Sequence, residues 1–258
     1  MRIVPLGPGI SLALLLSASP SAASVSVAVL DTGFCPEKLA GSAKVTVRKA
    51  QDLTGTVKDD ACKLPRDHGR VHGQKILEAF LAAYEGKESL VIHPYVVFDQ
   101  RGAQTLAYWE TALERAEAEK VDVILTASGL PHEKKLPRYP ALRTLTFAPS
   151  GVVERTITAS TVLFPQVLAP DEKLVLIGGY RPADAHNGPR FVEDLLYRDQ
   201  VSYYQPVDGK EVKGTSYAVA VALGKALSLC EVNGLKACLK TKSKVLSNKE
   251  TKHQIPTF

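Results

Sequence analysis

The sequence predicts an α/β domain, a mainly parallel β-sheet flanked by helices on both faces. Short apolar, β-branched runs recur along the chain, each followed by a turn former, as where residues 24–30 lead into Asp31-Thr32-Gly33. Stretches with helical spacing lie between these runs, the alternation of βαβ units rather than of hairpins. Hydrophobic residues make up 45% of the chain, enough for one substantial core, and no repeat or low-complexity linker divides it.

Residues 1–23 read as an export signal. Arg2 supplies an early positive charge, residues 10–18 an apolar run, and Ser21-Ala22-Ala23 the small residues suited to cleavage. The run is short and follows Pro5, Gly7, Pro8 and Gly9, so a membrane span is not expected, and no later stretch has the length for one. The expectation is an exported protein, secreted or periplasmic, with residues 24–258 forming one domain. In an oxidising compartment Cys35, Cys62, Cys230 and Cys238 form two disulfides. Three connectivities exist, and proximity along the chain favours Cys35 with Cys62 and Cys230 with Cys238. No Cys/His spacing suits zinc, and no Asp-rich loop names calcium ligands. The net charge of +5 is modest, and the basic residues 240–252 read as a solvated surface. Neither nucleic acid nor a membrane surface is expected as a partner.

Residues 24–30 are a buried strand, and Asp31 at its end is by itself an ordinary turn former. D-T-G also occurs in aspartic proteases, whose chemistry needs two such carboxylates; one copy here would require a dimer. Residues 34–65 are polar and mixed. In residues 67–81, Ile76, Leu77, Phe80 and Leu81 have helical spacing, with His68 and His72 ahead of them. Each histidine alone reads as a surface residue. At the start of a helix, however, the positive end of the dipole disfavours imidazolium and keeps the ring available as a base. Strands follow at 90–98, 121–126, 143–148 and 173–177, with an amphipathic helix at 103–119. Asp31, Ser128-Gly129 and Ser150-Gly151 all fall just past strand ends, where sites form in parallel sheets. No Gly-rich phosphate loop is present.

The last motif is Gly214-Thr215-Ser216, which runs into an apolar helical stretch ending near Leu227. Thr215 or Ser216 alone is an ordinary N-cap. Yet a hydroxyl in the first turn of a rigid helix, beside N–H groups that lack helical acceptors, is also a good position for a nucleophile.

Taken together, D-T-G at Asp31, H-G-x-x-I at His72 and G-T-S-x-A at Ser216 resemble the signature motifs of the subtilisin-like serine proteases, in the same Asp, His, Ser order. The stretch ending Ala127-Ser128-Gly129 also looks like the family's strand ending in S-x-G beside the substrate cleft. His72 fits better than His68, because Ile76 occupies the apolar position of the motif and the helix follows at once. The resemblance implies a three-layer fold and a peptide or protein substrate lying extended along Ser128 and Gly129. Ser216 is the implied nucleophile, His72 the base and Asp31 its orienting carboxylate. The chemistry requires no cofactor.

Three departures accompany the resemblance. Of the asparagines Asn187, Asn233 and Asn248, none lies in the turn that normally supplies an oxyanion donor, and Ser150 is the nearest stand-in. Ala220 replaces the usual proline after G-T-S-x-A. No room for a pro-domain lies between the expected signal and Val25. Two readings follow: an exported endopeptidase, or a catalytically impaired relative that binds peptides or a partner. An esterase using the same triad is a further possibility.

Overall fold

The sheet is built outward from β1 (Ser24–Asp31), which pairs in parallel with strands distant in sequence on both edges. The computed structural model describes residues 24–39, 44–152, 158, 160–182, 190–192, 195–209, 213–247 and 254–258. The expected export signal lies outside them, as do Asn187 and Asn248. After β1 come β2 (Val45–Val47), β3 (Gln51–Asp52), α1 (His72–Ala83), β4 (Ser89–Val96), α2 (Leu106–Ala118), β5 (Val123–Thr126) and β6 (Leu130–His132). The chain continues through β7 (Leu145–Pro149), β8 (Val162–Phe164), β9 (Leu174–Arg181), β10 (Arg190–Phe191) and β11 (Tyr203–Pro206). It ends with α3 (Gly214–Leu229), α4 (Leu235–Lys242), β12 (Lys244–Ser247) and β13 (Gln254–Thr257).

Nine strands form the main sheet in the order β10-β9-β7-β5-β1-β4-β2, with β11 on β9 and β3 on β4. Only the β10–β9 pairing is antiparallel, so the predicted architecture is observed. The central strands are apolar on both faces because helices cover both. Val25, Val27 and Val29 of β1 enter a core with Ile76, Leu77 and Phe80 of α1 and the apolar residues of α3. Ala28 and Leu30 point the other way, into a core around Trp109, Ala112 and Ala116 of α2. There Trp109 meets the Phe164 ring edge-on at 5.4 Å and donates from Nε1 to Gln104. The strand period of two thus assigns each residue of β1 to one helical layer.

α3 is apolar nearly all round and buried accordingly, between α1, the sheet and α4. Its tightest approach is at Gly224, where an added Cβ would stand 2.5 Å from the Phe80 carbonyl oxygen and 2.8 Å from Ala83 Cβ. Gly224→Val is expected to cost about 1–3 kcal/mol through overpacking, read as a lower urea midpoint with an unchanged denaturant slope.

Both expected disulfides are formed, Cys35–Cys62 and Cys230–Cys238, closing sequence separations of 27 and 8 residues. On chain entropy alone, removing the first is expected to cost about 3.5 kcal/mol and the second about 2.5 kcal/mol. Denaturant titration of the two Cys→Ala double variants checks that order.

The predicted strand at 121–126 is observed as Val123–Thr126, and Asp122 just before it is tied to Ser26 twice, its N–H donating to the Ser26 carbonyl at 2.9 Å and its carboxylate accepting the Ser26 N–H at 2.8 Å. The pairs β6–β8 and β12–β13 lie outside the main sheet and were not anticipated. They are too short, and too polar or proline-containing, to show strand periodicity.

Candidate functional site

Asp31, the last residue of β1, is fully buried. Its Oδ1 accepts the Thr32 N–H at 2.7 Å and lies 2.8 Å from His72 Nδ1, while Oδ2 lies 3.0 Å from the same nitrogen. The Thr32 hydroxyl oxygen in turn accepts the Gly73 N–H at 3.0 Å, and the Gly33 carbonyl accepts the Gln74 N–H. The D-T-G turn and the first turn of α1 are therefore locked together by three successive residues on each side. Glycine is required at both contacts. A Cβ on Gly33 would lie 2.5 Å from the Arg70 carbonyl oxygen, and one on Gly73 would lie 2.9 Å from Asp31 Cβ and the Phe34 ring.

A carboxylate has only acceptor oxygens, so it fixes the proton of a neutral His72 on Nδ1 and leaves Nε2 free to accept. The Asp31 charge raises the His72 pKa above its ordinary value of 6.5, and it prevails over burial, which acts in the opposite direction. His68 is elsewhere. It is exposed, caps the turn before α1, and accepts the Arg70 N–H on Nδ1.

Ser216 lies in the first turn of α3, half-buried, and its hydroxyl donates to the Ala127 carbonyl at 2.9 Å. Ala127 follows the end of β5, next to Asp31 across the sheet, since Leu30 pairs with Thr126. The helices bring the two side chains to the same rim. α1 and α3 run in the same direction, because Gly224 packs on Phe80, each equally far along its helix from Ser216 and His72. Further along, the Glu85 N–H donates to Ser228 Oγ at 2.7 Å. The recorded partner of the Ser216 hydroxyl is thus Ala127, and that of the His72 ring is Asp31.

The other predicted residues flank this rim. Ser128, half-buried, sits in a turn whose N–H approaches Thr126 Oγ1, and its carbonyl accepts from Gln166 Nε2 at 3.3 Å. The Gln166 amide also donates to the Pro149 carbonyl at 2.9 Å, tying the end of β5 to the end of β7. Gly129 packs on that side chain, which a Cβ would meet at 2.7 Å. Ser150 follows β7, is fully buried, and donates its hydroxyl to the Gly151 carbonyl at 3.4 Å. Sequence reasoning missed Thr32 and Gln166. Thr32 is part of the D-T-G motif and was legible there, whereas no local signal marks Gln166.

Among the described residues, the group of metal-ligating side chains brought together is Cys35, Glu37 and Cys62, whose sulfurs are engaged in the disulfide. Among them also, no helix is long and apolar enough to cross a membrane.

No protein-family model matches the chain, and no curated protein does. Solved structures do. A lanthipeptide protease superposes with a TM-score of 0.60 at 16% identity, covering 87% of this chain and 81% of that one. The prenylagaramide maturation protease PagA gives 0.56 at 15%, covering 89% and 86%, and the nisin leader peptidase NisP from Lactococcus lactis gives 0.54 at 13%, covering 86% and 83%. Superposition over four-fifths or more of both chains at 13–16% identity is a likeness of backbone, not of sequence, and by it this chain has the subtilisin-like three-layer α/β fold in a divergent form.

Proposed function

We propose that the protein is an exported serine endopeptidase that hydrolyses peptide bonds through Ser216, His72 and Asp31. The observation that carries this reading is the bond from His72 Nδ1 to the buried Asp31 carboxylate, at the rim where α3 begins with Ser216. In the proposed reaction Ser216 Oγ attacks the scissile carbonyl and its proton passes to His72 Nε2. The leaving amine takes that proton, and water then releases the acyl group by the reverse path. The attack requires Ser216 Oγ to turn from the Ala127 carbonyl towards the imidazole. The Ser216 N–H, in the first turn of α3, supplies one donor to the oxyanion. An extended substrate strand lies along Ser128 and Gly129.

A second reading is favoured by a specific arrangement. The Ser216 hydroxyl is spent on Ala127, and Ser150 is buried with its hydroxyl turned to Gly151. A site short of one oxyanion donor loses about 100- to 1000-fold in turnover. On this reading the protein holds peptides without cleaving them. Site-mapped labelling with a fluorophosphonate separates the two. Stoichiometric modification of Ser216, lost in His72→Ala, is the result expected of a peptidase; no Ser216 adduct on the folded protein assigns the binding role.

A further inference from the structure

A hydrogen-bonded serine, histidine and carboxylate lie at the other end of β1. Ser26 Oγ stands 3.0 Å from His93 Nε2, and His93 Nδ1 is in hydrogen-bond contact with Glu119 Oε2. Ser26 is near the start of β1, His93 on the adjoining β4, and Glu119 caps the C-terminus of α2. These three residues are remote from the Asp31 site in two ways. They are separated from it by roughly 16 Å, five residues at about 3.3 Å each. They also lie on the opposite face, since Ser26 shares the parity of Ala28 and Leu30, which pack under α2.

The proton positions follow from the partners. Gln51 donates to Glu119 Oε1 at 3.0 Å, and Arg115 holds Gln51 at 3.1 Å. Burial acts to raise the Glu119 pKa, but the neighbouring Gln51, Tyr95 and His93 outweigh it and hold the carboxyl below its ordinary range. An ionised carboxylate only accepts, so a neutral His93 carries its proton on Nδ1 and presents Nε2 to the Ser26 hydroxyl. His93 is buried, Tyr95 two residues on is fully buried, and Ser26 is half-buried next to the exposed Asp122. Here the imidazole faces a hydroxyl directly, an arrangement that Ser216 reaches only after rotating away from Ala127.

We infer that Ser26, His93 and Glu119 form a second nucleophile–base–carboxylate relay, at which Ser26 accepts an acyl group from small activated esters and retains it. Ser26 Oγ attacks the ester carbonyl, its proton moves to His93 Nε2, and the C–O bond to the leaving alkoxide or phenoxide breaks. The leaving group departs with the bonding pair, and Ser26 is left as an ester. Retention follows from Asp122, whose Oδ2 occupies the Ser26 N–H at 2.8 Å. That amide is unavailable to an oxyanion, and the carboxylate opposes negative charge beside it. Acylation therefore depends on a good leaving group, and hydrolysis of the resulting alkyl ester is slow.

The experiment uses the full chain carrying Ser216→Ala, so that the proposed peptidase nucleophile contributes nothing. With p-nitrophenyl acetate at pH 8, the expected result is a burst of about one p-nitrophenolate per chain, with acetyl mapped to Ser26 by peptide mass spectrometry. Glu119→Gln and His93→Gln are expected to slow acetylation about 100-fold or more, with circular dichroism and Trp109 fluorescence reporting whether each variant is folded. Glu119→Gln, at a partly exposed helix cap, is the milder change and serves if His93→Gln does not fold. Acetyl confined to lysines, or Ser26 labelled equally fast in folded Glu119→Gln, overturns the inference. Because the adduct is mapped by residue, this outcome is independent of whether Ser216 is the peptidase nucleophile.

Discussion

Ser216→Ala lowers kcat for peptide hydrolysis on the order of a million-fold on the proposed mechanism, and His72→Ala lowers it as far. The two act as one unit, so the double variant is expected to be no slower than either single one. Both side chains are at helix starts: among the described residues the Ser216 hydroxyl bonds the Ala127 carbonyl, and His72 is partly exposed. Unfolding midpoints should therefore change little for Ser216→Ala, which separates lost chemistry from lost structure. A fluorogenic peptide assay reads the rates. Residual kcat within tenfold of the parent in either variant removes the residue from the mechanism.

Asp31→Asn is expected to cost about 10⁴-fold in kcat, and it carries a distinct pH signature. Asp31 raises the His72 pKa through its charge, against the burial that lowers it. A general base must be unprotonated, so kcat/KM falls as pH drops through this raised value, and the acid limb lies above 6.5. Without the charge the limb moves to lower pH, although the rate stays low because an amide can also stabilise the wrong tautomer. Stability shows the same linkage with the opposite use. A histidine whose folded-state pKa is raised contributes stability that is fully present below its unfolded value and is lost as pH rises through the folded value. The parent protein should lose that increment as pH rises from 6.5 through the raised His72 value, and Asp31→Asn should not. An unshifted acid limb in the variant contradicts the assignment of Asp31 as the partner that sets the His72 pKa.

The α/β class was legible because its strands are buried on both faces and so read as continuous apolar runs, as in β1 and β5. The motifs were legible because the chemistry of tight turns restricts residue type. Gly33 and Gly73 admit no side chain where the two turns meet, and these glycines are what make D-T-G and H-G recognisable. The disulfides followed from proximity along the chain, since both closed loops are short. The strands β6, β8, β12 and β13 were not legible, because three or four residues are too few to show a period of two. Gln166 left no trace in its neighbourhood, because the carbonyls it joins belong to two other segments.

The sequence by itself offered Ser216, His72 and Asp31 as candidates for nucleophile, base and carboxylate, since candidacy is a property of side chains and of the turns that carry them. It also determined that a helix begins at each of His72 and Ser216. The motif already favoured His72 over His68, and the tertiary structure adds that the His72 ring meets a carboxylate 41 positions away in the chain. Only the tertiary structure placed Ser216 against Ala127, Ser150 inside the core, and Ser26 beside His93. The physical reason is common to all of these: hydrogen bonds depend on distances of a few tenths of an ångström between segments, and those distances are set by how the layers pack, not by any stretch of chain alone.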